Sequence, residues 1–416
     1  MTKSPLSLRT SPLVGLAAAS LLSTAVIAWA GPPAKATAAS SAKPLQGDQK
    51  IQHALNRLTF GPRPGDLERV REMGLGRWIE QQLNPATIDD TAVEAKLSRL
   101  TTLTMPSNQL LLAYAADTTG FIKKLDKQKK EEERAARRNR NGNKAEADTQ
   151  ANTQKVAMTE MELNPRQRRL LEMIEKANLP RGSSAQAVGE LNVAKLVRAA
   201  ESKRQLQEVL VDFWSNHFNV DVRKGPVRSL KIVDDREVIR PHVLGSFREL
   251  LGASAKSPAM LFYLDNVRST AEMQMPQRGR RGRFGRRNVA NQNVANPNNA
   301  APKKRGGLNE NYARELMELH TLGVDGGYTQ QDVQEVARCL TGWGMERETG
   351  AFRFYPFLHD NGEKTVLGQK IPAGGGIRDG EMVLDILASH PSTARFIAQK
   401  LCVRFVADEP PAALVD

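Results

Sequence analysis

The chain of 416 residues has little cysteine and lacks the common catalytic motifs. Its two cysteines, Cys339 and Cys402, do not have zinc-ligand spacing and are too few for a disulfide-built scaffold. They could form one disulfide or remain two buried thiols. HExxH, GxSxG, Walker-type and dinucleotide-binding motifs are all absent. Any catalytic or metal site must therefore combine residues that are distant in sequence.

Long apolar runs are also missing, except near the N-terminus. Small and apolar residues fill Leu13–Trp29, and Ala28-Trp29-Ala30 has the small-x-small pattern of a signal-peptidase site. We therefore expect a signal peptide over residues 1–30, a flexible linker over 31–50, and an exported protein of the periplasm, cell envelope or extracellular space. The alternative is an uncleaved anchor, because the run approaches the length of a membrane span.

Positive charge is concentrated in one segment. The net charge is +14, and residues 273–307 contain nine basic residues and no acidic one. This segment has too few large apolar residues to fold alone. A second low-complexity segment, 127–155, has mixed and nearly balanced charges. We predict that both are disordered insertions, with a helical extension as the alternative for the second.

Export argues against a nucleic-acid partner for the arginine-rich insertion, 273–307. An anionic cell-surface polymer or membrane is a better partner for it, because clustered arginines attract polyanions. A solvated loop insertion without a partner is the interpretation that the composition favours.

The stretch from Asn309 to Trp343 predicts two helices joined by a glycine-rich loop. Asn309 is placed to cap the first helix, and Gly323 is placed to end it. Thr329 and Asp332 resemble a capping box for the second helix. Helical periodicity places an apolar arc on the first helix. Its members are Tyr312, Ala313, Leu316, Met317, Leu319 and His320.

His320 is a polar residue on this apolar face, and two interpretations are open. It is either a neutral core histidine with a hydrogen-bond partner, or a metal ligand or general base. Glu318 cannot assist it from the same helix, since residues two apart do not face each other. His217 repeats the placement on the predicted helix Leu206–Phe218.

These placements define two sets of candidate residues. The candidate catalytic residues are His320, His217, His242 and Glu315. The candidate ligands for a divalent metal are His320, Glu318 and Asp325.

Residues 352–368 differ from the rest of the chain in their alternating aromatic residues. We predict a small β-hairpin here, in which Phe352–Phe357 pairs with Thr365–Leu367 and Asp360–Gly362 forms the turn. His359 and Asp360 would lie near its tip.

Blocks spread along the chain resemble the bacterial family known as Domain of Unknown Function 1800. The matching blocks are His53–Arg57 with Phe60-Gly61, Trp214–Phe218, Ile239–His242 with Gly245 and Phe247, Pro258–Leu261 with Tyr263–Asn266, Asn309–Trp343, His359-Asp360 and His390–Ala394. Their order and spacing make the match specific, and it covers most of the chain after residue 50.

The resemblance implies an exported, mainly helical protein, and it supplies no mechanism. It also suggests exported sulfatase/phosphatase-like proteins as partners. The family pattern continues beyond Asp416, so part of the domain is expected to be missing.

Together these observations predict a mainly α-helical fold. A single large domain over residues 51–416 would contain a minor β-hairpin and two low-complexity insertions. Two functions remain open. One is a cell-envelope binding or accessory protein that acts with sulfatase/phosphatase-like partners. The alternative is a metal- or histidine-dependent hydrolase with a site around His320. The hydrolase requires His217, His242 and His320 to converge with a carboxylate, and the binding protein does not.

Overall fold

The structure is a computed structural model. It describes residues 44–140, 150, 153–156, 163–178, 183–271, 307–346 and 348–416. The predicted signal peptide, most of the linker and nearly all of the arginine-rich insertion lie outside the described residues. The chain divides into residues 1–46 and 47–416. In the described part of the chain, no helix is long and apolar enough to cross a membrane.

The N-terminal part of the second unit is helical. Its helices are α1 (Asp48–Leu58), α2 (Asp66–Met73), α3 (Leu75–Leu83), α4 (Thr91–Leu97), α5 (Ser107–Thr118) and α6 (Gly120–Arg140). A 3-10 turn, Thr101–Thr104, precedes α5. Helices α1 to α3 share a small apolar cluster around Leu55, Val70 and Trp78. Residues 127–140 belong to α6, so this part of the predicted insertion 127–155 is helical rather than disordered.

The middle of the chain supplies much of the main core. Its helices are α7 (Pro165–Ala177), α8 (Ser183–Glu201), α9 (Gln205–His217), α10 (Val227–Val233), α11 (Phe247–Lys256) and α12 (Pro258–Tyr263). Helix α8 packs against α5 and α10. A π-helical turn, Asp234–Ile239, continues directly from α10 and leads into the 3-10 turn Arg240–His242.

The C-terminal helices include the two that the sequence predicted most clearly. They are α13 (Glu310–Met317), α14 (Gln330–Cys339), α15 (Ile377–Ala388), α16 (Pro391–Phe405) and α17 (Ala412–Val415). The side chain of Asn309 accepts a hydrogen bond from the Asn311 amide, as an N-cap does. Thr329 and Asp332 form both hydrogen bonds of the capping box. Gly323 ends the first helical segment with a positive φ of 80°.

The predicted apolar arc of the first helix is wrong at one position. A π-helical turn, Glu318–Leu322, follows α13, and Leu319 is 47% exposed. A π turn closes hydrogen bonds five residues apart and so contains more residues than an α turn. The positions after Met317 therefore shift around the helix axis. His320, Thr321 and Leu322 face the core instead.

The β structure consists of two small hairpins, and the predicted pairing is wrong. Strand β1 (Trp343–Met345) pairs antiparallel with β2 (Phe352–Phe354), and β3 (Lys364–Val366) pairs with β4 (Gln369–Ile371). The second hairpin turns at Leu367-Gly368, where both residues have positive φ. Asp360–Gly362, the predicted turn, instead lies in the connection between the hairpins.

Most of the described helices after residue 205 share one apolar core with both hairpins. Tyr312, Trp343 and Phe218 are among its largest fully buried side chains. Cys339 lies inside this core and Cys402 is half-buried on α16, and both are free thiols. The fold is thus mainly α-helical with a minor β component, as the sequence predicted.

Candidate functional site

Two of the predicted histidines meet in the core. His217 is the last residue of α9, and His320 lies in the π turn that follows α13; their ring centroids are 6.3 Å apart. The Nε2 atom of His217 lies 3.0 Å from the backbone oxygen of His320. Because the helical segment ends at Gly323, this carbonyl belongs to a helix terminus and needs a donor from outside the helix. His217 supplies that donor through Nε2–H.

A lysine completes this group of residues. The Nζ atom of Lys400, on α16, lies 2.9 Å from Nδ1 of His217. Since Nε2 carries the proton, Nδ1 is an acceptor and the lysine donates to it. Lys400 also lies over the ring of Phe396, 5.1 Å from its centroid. We call His217, His320 and Lys400 the histidine–lysine cluster.

Burial keeps both imidazoles of the cluster neutral. Burial and the nearby charge of Lys400 lower the pKa of His217 to about 3. The same two causes lower the pKa of His320 to about 4. Burial also lowers the pKa of Lys400. Near neutral pH, the positive charge of the cluster therefore belongs to the lysine.

Aromatic rings surround His217. Its centroid is 5.4 Å from that of Trp214 and 4.6 Å from that of Phe218, both in edge-on geometry. Phe247 and Phe396 lie at 6.4 Å and 6.1 Å. These rings contribute to the desolvation of the imidazole and fix its orientation.

The candidate carboxylates are Glu315 on α13, Glu318 in the π turn and Asp325 in the loop that follows. Oε2 of Glu318 accepts a hydrogen bond from the Tyr328 hydroxyl at 3.1 Å. Burial and the neighbouring Glu318 raise the pKa of Glu315. Within the described segments, neither glutamate forms a hydrogen bond or ion pair with a cluster histidine. Asp325 is exposed in the loop before α14.

The remaining predicted histidine, His242, does not join the cluster. Its Nδ1 atom lies 2.7 Å from the backbone oxygen of Val238, one helical turn earlier. Across the residues that the structure describes, no group of three or more histidine, cysteine, aspartate or glutamate side chains is arranged to hold a metal ion. His320 is buried, Glu318 half-buried and Asp325 exposed, so the three candidate metal ligands differ in their surroundings.

A second buried polar network lies between the hairpins and α15. His359 Nε2 is 3.1 Å from Oδ2 of Asp379, and Lys364 Nζ is 2.5 Å from the same oxygen. Lys364 also donates to the backbone oxygen of Asp360, and His359 Nδ1 lies 2.8 Å from that of Thr341. All three charged or titratable side chains are almost completely buried.

The sequence predicted His217 and His320 but missed Lys400, Lys364 and Asp379. Lys400 shares a side of α16 with buried Ile397, since the two are three positions apart. That spacing is common to many lysines, which bury their stems and expose their amines. Lys364 and Asp379 have no local pattern, because each is paired across a tertiary contact.

The fold and these two networks define a mainly helical domain with two buried polar networks, each of which contains histidine and lysine. The chain belongs to the family described as protein of unknown function (DUF1800), whose model matches residues 53–416. Comparison with curated proteins and with solved structures gave no match. The resemblance found in the sequence is therefore confirmed at the level of the family.

Proposed function

We propose that this chain is a cell-envelope binding or accessory protein that acts with an exported sulfatase/phosphatase-like partner. One observation favours a binding role over a catalytic one. Both ring nitrogens of His217 are already engaged, Nε2 by the His320 carbonyl and Nδ1 by Lys400. A general base needs a free nitrogen within reach of the substrate and a pKa near the working pH. His217 has neither property.

The structural role of the cluster is to join three separate elements. His217 ends α9, His320 lies after α13 and Lys400 lies on α16. Hydrogen bonds between these residues fix the three elements to each other inside an aromatic shell. Buried polar networks that are satisfied in this way specify one packing arrangement. The cluster is thus suited to hold a binding surface rigid.

The test is association with a sulfatase/phosphatase-like protein that is exported by the same cells. Sedimentation velocity of the two purified proteins should show a stable complex with a micromolar or lower dissociation constant. The complex should survive His53→Gln, which changes an exposed histidine outside the cluster. If no complex forms at any accessible concentration, and the chain alone hydrolyses ester substrates, the proposal is wrong.

A histidine-dependent hydrolase is the second candidate, and one observation favours it. The pKa of Lys400 is lowered by burial, so its amine is more easily deprotonated while it contacts His217. Purified chain would then cleave p-nitrophenyl acetate, phosphate or sulfate. Lys400→Met should abolish that activity, and His53→Gln should retain it. Activity that is equal in both variants would reject this candidate.

The metal-dependent form of the hydrolase needs a separate measurement. If the hydrolase is metal-dependent, elemental analysis of the purified chain would find stoichiometric metal that is lost in His320→Ala and in Asp325→Asn. Asp325 is exposed, so its variant should fold even where His320→Ala does not. Metal content that is unchanged in Asp325→Asn would remove this residue from the predicted ligand set.

A further inference from the structure

A cleft of about 390 Å³ lies away from the histidine–lysine cluster. Its lining residues come from α4, the 3-10 turn Thr101–Thr104, α8, α10, the π turn Asp234–Ile239 and the 3-10 turn Arg240–His242, together with Ser98. Its apolar lining consists of Leu97, Leu103, Leu191 and Ile232. Its charged lining consists of Arg198, Arg236, Arg240, Asp235 and Glu94. The size and mixed lining are typical of small-molecule sites. We call it the arginine cleft.

Arg198 is the first reason to assign a ligand to this cleft. Its guanidinium has no hydrogen bond or ion pair within the part of the chain that the structure describes, although the side chain is only partly exposed. Burial and the nearby charge of Arg240 lower the pKa of Arg198, while the charges of Glu208, Asp235 and Glu94 raise it. None of these carboxylates forms a hydrogen bond or ion pair with the guanidinium in the described part of the chain, so an anion in the cleft would supply the missing acceptor.

Arg240 is the second reason. Its Nη1 atom donates to Oε1 of Glu208 at 2.7 Å, and its Nε lies 3.5 Å from Oδ2 of Asp235. Its Nη2 atom is buried and has no hydrogen-bond partner among the described residues. Such an unsatisfied donor of a charged group is costly, and a ligand oxygen would satisfy it.

The other charged residues of the cleft are engaged or peripheral. Arg236 donates to the backbone oxygens of Leu103 and Met105 and pairs with Glu237. Asp235 lies beside Arg240 and 3.6 Å from Lys195. Glu94 is exposed. The lining contains three arginines and two carboxylates, and Glu237 and Glu208 outside the lining pair with Arg236 and Arg240, so Arg198 is the arginine of the cleft without a carboxylate partner among the described residues.

We propose that the arginine cleft binds a small amphiphilic anion. Its anionic head would accept hydrogen bonds from the guanidinium of Arg198 and from Nη2 of Arg240. Its short apolar body would lie on Leu97, Leu103, Leu191 and Ile232. This site is separate from the histidine–lysine cluster, and it does not depend on the sulfatase/phosphatase-like partner.

Binding of octanoate to the full chain tests the proposal, with uncharged octanamide as the matched ligand. Titration calorimetry should show saturable octanoate binding that is at least about tenfold tighter than octanamide binding. Octyl phosphate, measured in parallel, should also bind, and the tighter of the two anions identifies the head group. Equal affinity for octanoate and octanamide would overturn the proposal.

Three variants place the binding in the cleft. Arg198→Gln should weaken octanoate binding about tenfold, since it removes a charged donor. Arg228→Gln should leave binding unchanged, because Arg228 is exposed on α10 outside the cleft. Ser98→Trp should block binding while all the arginines remain, because Ser98 is an exposed residue of the lining. Unchanged binding in both Arg198→Gln and Ser98→Trp, with unchanged thermal unfolding, would show that the anion binds elsewhere.

Discussion

At the residue scale, two buried imidazoles make the free energy of unfolding depend on pH. The pKa of His217 falls to about 3 and that of His320 to about 4, against an ordinary value of 6.5. In the unfolded chain both rings become protonated below pH 6.5, while in the fold they stay neutral. Below pH 6.5 the unfolded state therefore binds more protons than the folded state. The contribution of the two histidines to the free energy of unfolding is complete above pH 6.5 and decreases as the pH falls below that value.

We therefore expect the free energy of unfolding to decrease between pH 7 and pH 5. Each histidine should contribute roughly 2 kcal/mol to this decrease, from about 1.4 kcal/mol per pH unit. Urea unfolding at a series of pH values measures it. His320→Gln should flatten the profile, whereas His53→Gln should leave its slope unchanged. A slope that is the same in His320→Gln and in the unchanged chain would contradict the proposed linkage.

The pair of Lys364 and Asp379 makes a second prediction at this scale. Lys364→Met should leave Asp379 buried without its cation, at a cost of roughly 3–5 kcal/mol in the free energy of unfolding. Lys370→Met on the neighbouring strand should cost less than about 0.5 kcal/mol, because Lys370 is exposed. Adding Asp379→Asn to Lys364→Met should recover part of the loss. A cost of Lys364→Met as small as that of the control would show that the pair does not matter for stability.

The two histidines of the cluster could be predicted from the sequence, because their placement shows in the pattern of a single helix. His217 and His320 lie on apolar faces, and periodicity detects such placements within one helix. Lys400 contacts His217 across 183 positions of sequence, which periodicity cannot detect. The same limit hides the pairing of Arg240 with Glu208.

At the scale of elements, both candidate sites lie on π-helical turns. His320 lies in the turn Glu318–Leu322, and Asp235 and Arg236 lie in the turn Asp234–Ile239. Such turns occur often at functional sites. A regular helical period does not predict them, which is why the sequence placed Leu319 in the core. The helix caps were predicted correctly because capping depends on a few adjacent residues.

A close contact between α15 and β1 gives a prediction about packing. A Cβ atom on Gly380 would lie 2.3 Å from Cζ2 of Trp343, so Gly380→Ala requires the buried indole to move. Overpacking of this kind costs about 1–3 kcal/mol. Gly189→Ala in α8 is the matched control, since its Cβ meets nothing within 4 Å.

The control should stabilise the protein by up to about 1 kcal/mol, because alanine is the better helix former. Guanidinium unfolding of the two variants measures both effects. Equal stability of Gly380→Ala and Gly189→Ala would show that α15 has room to shift away from Trp343.

At the scale of the whole molecule, the arginine-rich insertion leaves and re-enters the fold at adjacent points. Ser269 and Gly307 form a parallel bridge, and the amide of Asn309 donates to the Ser269 hydroxyl at 3.2 Å. The insertion can therefore be replaced by a short linker without separating these ends.

We expect a variant with residues 273–306 replaced by a glycine–serine linker to bind heparin more weakly. The reason is the loss of nine basic residues, which are the expected contacts for an anionic surface polymer. Elution from heparin resin at lower salt measures the effect, with thermal unfolding as the test of folding. A variant that keeps the segment length but has glutamine at the nine basic positions should elute like the linker variant. Elution of both at the salt concentration of the unchanged chain would exclude the insertion as the polymer site.

The fold class follows from the sequence because amphipathic helices dominate the chain. The strand pairing does not, since Asp360–Gly362 has better turn residues than Leu367-Gly368, where the chain actually reverses. The chain reverses at Leu367-Gly368 although its residues suit a turn less well. One tertiary contact that accompanies this pairing is the ion pair between Asp379 and Lys364, the first residue of β3.

The contact between Lys400 and His217 also has a consequence for the order of folding. Helix α1 packs against α16 as well, and Arg57 pairs with Asp408 across 351 positions. Closing loops of such length costs entropy, so we expect these contacts to form late in folding. A chain still emerging from synthesis has α9 but not α16, so Nδ1 of His217 lacks its lysine donor until residue 400 has been added. Until then, the aromatic rings around His217 lack Phe396, and α1 lacks its contacts with α16.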